Sequence, residues 1–359
     1  MTDYENTLRA LRERPRTWVV TGVAGFIGSN LLEALLRLNQ KVVGLDNFSS
    51  GHRHNLAQVK DAVTRQQWGL FRLLAEDVCS VDACRQACSA AHFVLHHAAL
   101  GSVPRSMDDP AAAHHSNATG FLNMLVAARG AGVERFVYAS SSAVYGDHPA
   151  EVKTETDVGR LLSPYAATKY IDEIYADTFV RCYGLSSIGL RYFNVFGPRQ
   201  DPEGAYAAVI PQWLASMIRG EPVFINGDGE TARDFCYIDD VVQANLLAAT
   251  VGSPAAVNQA YNIAVGGRTT LNELFEMIRS LLEPLYPHLR DLQPVYRDFR
   301  AGDVRLSQAD ITKARALLGY RPQWRVRAGL AEAIDWYVAN LVPARSDDSV
   351  VASRQAAFS

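Results

Sequence analysis

Long apolar runs are missing from this chain. No stretch of its 359 residues approaches 18 uninterrupted apolar positions, so no membrane-crossing helix is expected. Residues 1–16 carry charges throughout and hold no apolar signal-peptide core, so the expected compartment is the cytoplasm. Cysteine is scarce, and its count of five (Cys79, Cys84, Cys88, Cys182, Cys236) is odd, which argues against a secreted disulfide framework. Cys84-x-x-x-Cys88 departs from the usual ligand spacings, so reduced, packed thiols and no metal are expected. Asn47-Phe-Ser49 and Asn117-Ala-Thr119 match the glycosylation pattern, which has no consequence without export. Neither sign of charge dominates: 35 basic residues face 38 acidic ones, a net charge of -3. No basic field therefore points to nucleic acid or an anionic membrane.

Apolar material, by contrast, is ample. Hydrophobic residues make up 48% and charged residues 20%, which excludes a disordered chain or a collagen-like fibre. At about 150 residues per domain, the length suits two domains or one large α/β unit with an added lobe. Trp18-Val19-Val20, Val42-Val43-Gly44-Leu45, Phe71-Arg72-Leu73-Leu74, His92-Phe93-Val94-Leu95-His96 and Arg135-Phe136-Val137-Tyr138-Ala139 read as short buried strands. Helical spacing of apolar residues over 26–38 and 117–130 falls between them. This alternation predicts an α/β fold: a doubly wound Rossmann parallel sheet with a smaller mixed α/β C-terminal substrate lobe. Residues 1–192 form the dinucleotide-binding domain in this reading, with 234–263 returning to it. Residues 193–233 and 264–343 form the lobe, with helices at 209–219, 270–282 and 327–342; a helix at 239–250 falls in the returning segment, and 344–359 form a flexible tail.

Thr21-Gly22-Val23-Ala24-Gly25-Phe26-Ile27-Gly28 lies between the first strand and the first helix. Gly22 allows a tight turn, Gly25 lets backbone approach a pyrophosphate, and Gly28 lets the helix pack close to the sheet. The helix start offers unbonded N–H groups and a positive dipole end to phosphates. The spacing is G-x-x-G-x-x-G, distinct from the G-x-G-x-x-G of many dehydrogenases. Asp46 ends the second strand, 18 residues after Gly28, where a carboxylate suits a ribose 2′-hydroxyl and repels a 2′-phosphate. NAD is thus expected rather than NADP. Asp77-Val78 closes the third strand, beside an adenine edge, and His97-Ala98 closes the fourth, where small residues admit the nicotinamide ribose.

Ser163-Pro164-Tyr165-Ala166-Ala167-Thr168-Lys169 carries the candidate chemistry. Ser163 suits a helix cap and Pro164 the first helical position. Tyr165 and Lys169, four apart, then share one face. A free phenol titrates near 10, and a neighbouring ammonium and an oxidised nicotinamide both favour the phenolate that a base requires. Ser140-Ser141-Ser142 follows the fifth strand, at the sheet end where open α/β sheets bind ligands. A hydroxyl there can bond a sugar hydroxyl that becomes a ketone.

The glycine turn, the serine triplet, Tyr165-x-x-x-Lys169 and Arg191-Tyr192-Phe193-Asn194-Val195-Phe196-Gly197 together resemble the extended short-chain dehydrogenases that act on nucleotide sugars. The likeness spans residues 16–342. Leu100-Gly101-Ser102-Val103-Pro104-Arg105-Ser106, residues 201–210 and Tyr296-Arg297-Asp298-Phe299-Arg300 are similar, more narrowly, to the bacterial UDP-N-acetylglucosamine 4-epimerases of surface-polysaccharide synthesis. The resemblance implies reversible epimerisation at C4 of UDP-N-acetylhexosamines through a 4-keto sugar, with tightly held NAD. Tyr165 would take and return the O4 proton, Lys169 would hold the nicotinamide ribose, and Ser141 and Ser142 would bond the sugar. It adds Phe26, Ile27, Asn47, Ser50, Gly51 and Val195 to the cofactor contacts. For the substrate it implies Ser102, Asn194 and Val209, a uracil site at Phe224 and Asn226, and Asp303 on the uridine ribose. Arg233, Arg300 and Arg268 would clamp the diphosphate, since guanidinium matches phosphate oxygens bidentately. Small Ser307, at a wall of the hexose pocket, would leave room for a 2-N-acetyl group.

Three positions depart from the close relatives. His97 stands for Gln, and its charge is expected to change near pH 6.5. Leu306 replaces a polar residue and Pro198 a basic one. UDP-glucose and UDP-glucuronate are the alternative substrates. A nucleotide-sugar 4,6-dehydratase or a decarboxylase would need a carboxylate near Ser142-Ala143-Val144, where none stands. A non-catalytic NAD-binding sensor would tend to lose Tyr165 or Lys169. The resemblance also implies a homodimer through helices at 110–130 and 164–183.

Overall fold

The computed structural model describes residues 1–202, 207–299 and 304–341. The expected tail, 344–359, lies outside the described residues. Seven parallel strands form the main sheet: β1 (Thr17–Thr21), β2 (Lys41–Leu45), β3 (Phe71–Leu74), β4 (Phe93–His96), β5 (Arg135–Ser141), β6 (Ser187–Tyr192) and β7 (Gln259–Ile263). Their spatial order is β7-β6-β5-β4-β1-β2-β3, so the direction of winding reverses between β1 and β4. That reversal opens a crevice at the strand C-termini, where open α/β sheets bind ligands.

Strand side chains alternate between two cores. Trp18 and Val20 enter one apolar cluster with Phe93, Leu95 and Val137. Val19, Val94, Phe136 and Tyr138 enter the other. Period-2 alternation with apolar residues on both faces is what a parallel sheet covered twice requires. The first cluster is covered by α1 (Asp3–Glu13), α2 (Phe26–Arg37), α3 (Arg53–Ala62) and, further along the chain, Ile238–Thr250. The second is covered by α4 (Val81–Cys88), α5 (Gly120–Ala131) and α6 (Pro164–Tyr183).

The remaining long helices are α7 (Val209–Arg219), α8 (Ile238–Thr250), α9 (Leu271–Leu282) and α10 (Val326–Leu341). Segment 234–263 supplies α8 and β7, and β7 pairs in parallel with β6 from Gln259↔Ile188 to Ile263↔Tyr192. The lobe carries short strands: Ala232–Arg233 runs between Thr269–Thr270 and Leu306–Ala309, and Val152–Lys153 lies at the far edge. The first apolar cluster continues into the lobe through Trp213, Phe275 and Tyr337.

Two local features differ from the sequence reading. Residues 3–13 are helical, closed at the start by a reciprocal cap between Thr2 and Glu5. The expected helix over 117–130 begins as a five-residue π-helical turn, His115–Thr119, before α5 becomes regular. Asn117 explains why that turn persists: its buried side chain accepts from Leu100 N–H (2.7 Å) and donates to Leu100 C=O and Thr168 Oγ1. No described helix is long and apolar enough to cross a membrane. Cys84, Cys88 and Cys236 are packed, but Cys182, near the end of α6, is exposed, contrary to expectation.

Candidate active site

A cleft of about 770 Å³ opens along the strand C-termini. One end is the glycine turn. Gly22 has φ +67, and a Cβ on it would lie 2.8 Å from Ala98 N. A Cβ on Gly28 would meet the Gly22 carbonyl at 2.1 Å, so α2 can start this close to β1 only with hydrogen there. Gly25 caps α2 with no side chain, which leaves the first N–H groups facing the cleft. Such a helix start can accept a diphosphate.

Asp46 lines the same end and also braces the turn. Its Oδ2 accepts from Ala24 N–H (2.8 Å) and its Oδ1 from Phe48 N–H (2.8 Å). Each oxygen keeps a second lone pair for a ribose hydroxyl. Asn47, Ser50, Gly51, Val78, His97, Ala98 and Val195 also line the cleft, as do Phe26 and Ile27. Asp77 does not: its carboxylate accepts from Asn47 Nδ2 (2.6 Å) and Cys79 N–H (2.7 Å).

The catalytic candidates share this cleft. Ser163 Oγ accepts from Ala166 N–H (3.1 Å) and Pro164 begins α6. Ser106 Oγ accepts from Tyr165 N–H (3.0 Å), which docks the 102–108 segment on the helix start. Tyr165 and Lys169, one turn apart, both line the cleft with Ser141 and Ser142. Ser141 Oγ accepts from Ala143 N–H (3.1 Å) and so caps the single 3₁₀ turn after β5. Lys169 Nζ donates to the Ala139 carbonyl (3.0 Å) and to Asp172 Oδ2 (3.2 Å).

Beneath the serines lies a buried polar knot. Arg191 holds Glu173 through Nε (2.9 Å) and Nη2 (2.7 Å), and Ser140 Oγ donates to the same carboxylate. Arg191 Nη1 also reaches Tyr145 Oη (3.1 Å), which donates to Asn262. The knot ties β5, α6, β6 and β7 together one residue from Ser141.

His97 corrects one expectation. Asn245 Nδ2 donates to Tyr192 Oη (2.8 Å), whose proton is thereby directed to His97 Nε2 (2.9 Å). Burial, opposed by the Leu95 carbonyl and reinforced by the Lys169 ammonium, pushes the imidazole down to about 3. Its charge therefore does not change near pH 6.5. His96, at the end of β4, meets Thr21 Oγ1 through Nδ1 (2.9 Å), while its Nε2 has no partner among the described residues.

The substrate candidates fall into three groups. Ser102 and Asn194 line the main cleft, and Asn194 Nδ2 also donates to Asp234 C=O (3.2 Å). Phe224, Asn226, Arg233, Ser307 and Val209 stand outside its lining, on the strands Phe224–Asn226, Ala232–Arg233 and Leu306–Ala309 and at the start of α7. Ser307 pairs in register with Arg233. Arg268 lines a separate cavity of about 200 Å³, with Phe235, Arg325 and Arg327. Arg300 and Asp303 lie outside the described residues. No metal-binding cluster occurs among the described residues.

The sequence reading missed Asp172, Glu173, Ser106 and Asn117. Asp172 was within reach of spacing alone, three residues after Lys169 on the same helical face. Asn117 offered no such signal, since its partners are 17 and 51 residues away.

Comparison with known proteins adds a lineage to this geometry. Residues 18–264 match the model of the NAD dependent epimerase/dehydratase family. A UDP-glucose 4-epimerase of Mycolicibacterium smegmatis is 36% identical over 321 residues, 89% of this chain and 97% of that protein. The structure of UDP-N-acetylglucosamine 4-epimerase from Methanobrevibacter ruminantium M1, in complex with UDP-N-acetylmuramic acid, superposes with a TM-score of 0.83 at 35% identity. That match covers 91% of this chain and 99% of the other. The UDP-glucuronic acid 4-epimerase from Bacillus cereus, in complex with UDP-glucuronic acid and NAD, gives 0.80 at 27% identity, covering 91% and 100%.

Proposed function

The chain belongs to the NAD dependent epimerase/dehydratase family, and from that premise we propose that it is a UDP-sugar 4-epimerase interconverting UDP-GlcNAc and UDP-GalNAc. The observation that carries the reading is the meeting of Tyr165, Lys169, Ser141 and Ser142 in one cleft with the glycine cradle. NAD is the cofactor, and the residues fit it: side-chain-free backbone at Gly22 and Gly28, unbonded N–H groups at the start of α2, and the Asp46 carboxylate where a ribose would lie. Bound NAD supplies reversible hydride acceptance from the sugar C4.

The chain itself handles the proton and the grip. Tyr165 Oη takes the O4 proton and later returns it to the epimer. Ser141 and Ser142 hold O4 at the cleft centre. Lys169 presents its ammonium to the phenol and to the ribose, and the Ser106 contact fixes where Tyr165 starts the helix. Inversion requires the sugar to present either face, so the firm hold must fall on the nucleotide. Arg233, Asn194, Phe224 and Asn226, with Val209, Arg268, Arg300 and Asp303, are the residues we assign to it. Two subunits would join through the helical stretch 110–130 and α6, and on α6 Ile174 and Tyr183 are 52% and 54% exposed.

Acceptance of N-acetylated sugars is assigned to Ser307, a small side chain that pairs in register with Arg233. UDP-glucose or UDP-glucuronate as main substrate is the second reading, favoured by the activities named for the relatives. A panel of UDP-sugars, incubated without added NAD and read by product chromatography, separates the two. The parent is expected to convert UDP-GlcNAc. Ser307→Tyr is expected to lower that conversion at least about tenfold relative to UDP-glucose, within the range that pocket shape confers. Equal conversion of UDP-GlcNAc by both proteins would contradict the assignment of Ser307.

A further inference from the structure

Asp172 has no part in the chemistry described above, yet it touches the lysine at its centre. Its side chain is fully buried, and that of Lys169 is 3% exposed. An ammonium has three protons. One goes to the Ala139 carbonyl at 3.0 Å and one to Asp172 Oδ2 at 3.2 Å, which leaves one for the cleft that Lys169 lines. The other carboxylate oxygen, Oδ1, has no partner among the described residues. A carboxylate buried with a single ionic contact is costly to the fold, so packing alone does not account for it.

We propose that Asp172 is a positioning residue for the proton transfer: its carboxylate fixes the direction of the last Lys169 proton and offsets part of the charge that the ammonium presents to Tyr165. The inference rests on the epimerase reading of the same site.

The groups around the pair leave Asp172 as the member that titrates near neutrality. Glu173 follows it on α6 and is held by Arg191 of β6. Tyr138 of β5 is driven well above its ordinary range by burial, with Glu173 and Asp172 adding to the effect. His96 of β4 is driven well below its range by burial and by Lys169, and the neighbouring His97 is pushed down to about 3. Burial, only partly opposed by Lys169, pushes the Asp172 carboxyl up to about 7. Protonation below that pH removes the offset, and ionisation above it restores it.

Two variants of the NAD-loaded protein separate aim from charge. Asp172→Ala removes both acceptor and charge. It is expected to retain at least about fivefold less NAD after gel filtration, measured as nucleotide released on denaturation, because Nζ loses one of two anchors. Asp172→Asn keeps an acceptor oxygen and removes only the charge. It is expected to retain NAD within about twofold of the parent. Its kcat/KM is expected to depart from the parent's by at least about twofold above pH 7, where the parent's Asp172 is ionised, and to converge on it below, where both side chains are neutral. NAD retention equal to the parent in Asp172→Ala, or an Asp172→Asn profile that superposes on the parent's above pH 7 as well as below it, would overturn the proposal. The retention arm needs no substrate, so it tests Asp172 even if no UDP-sugar is turned over. If Asp172→Ala does not fold, the near-isosteric Asp172→Asn profile decides alone.

Discussion

Tyr165→Phe is expected to lower kcat about a thousandfold while leaving the fold and the NAD content intact. Phenylalanine keeps the ring and its packing. The anchors of this helix start are backbone groups: Tyr165 N–H on Ser106 Oγ, and the Tyr165 carbonyl accepting from Thr168 Oγ1. Both survive the substitution. What disappears is the one oxygen beside Lys169, Ser141 and Ser142 that can carry the O4 proton. A positioned acid–base group contributes about 10²–10⁴-fold, and a thousandfold loss corresponds to about 4 kcal/mol of barrier. Steady-state kinetics with an unchanged KM, together with an unchanged circular dichroism spectrum, would check it. Full turnover by the variant would place the base elsewhere.

Gly28→Ala is expected to abolish NAD retention, with at least about a hundredfold loss of affinity, or about 2.7 kcal/mol. The new methyl would sit 2.1 Å from the Gly22 oxygen and 2.8 Å from the Gly22 carbonyl carbon. Both are backbone atoms of the turn that forms the cradle, so no rotamer change relieves the clash. The turn must move, and with it the N–H groups at the start of α2. Gly130→Ala is the control. Nothing lies within 4 Å of a Cβ there, and the exchange should slightly favour α5. Released nucleotide measured after denaturation should be near zero for the first variant and at the parental level for the second.

The sheet was legible in the sequence because parallel strands are apolar on both faces. Val19-Val20 and Phe71–Leu74 read as short runs, and the backbone forms strands where they fall. Helix α1 was hidden by its charges, since only Leu11 of its residues is buried. Its one clear signal was the Thr2-x-x-Glu5 cap. The π-helical turn at His115–Thr119 was illegible because it is stabilised by Asn117 reaching Leu100 and Thr168, contacts that exist only after folding. In the site, Tyr165 and Lys169 could be placed from spacing on one helix. Asp172 could be placed on that face too, but an acidic residue there reads as solvated, and only the fold shows it sealed against Lys169. His97 shows the same limit: a strand-end imidazole looks titratable until Tyr192, Asn245 and its burial are seen.

The most direct test follows the hydrogen on the reacting carbon. A UDP-N-acetylhexosamine carrying deuterium at C4 is incubated in ordinary water with the purified protein and no added NAD. If the O4 proton passes through Tyr165 while the C4 hydrogen never meets solvent, both epimers keep the deuterium at C4, read by mass spectrometry and proton NMR. Epimer that has exchanged its label with water, or the absence of any epimer, would contradict the account.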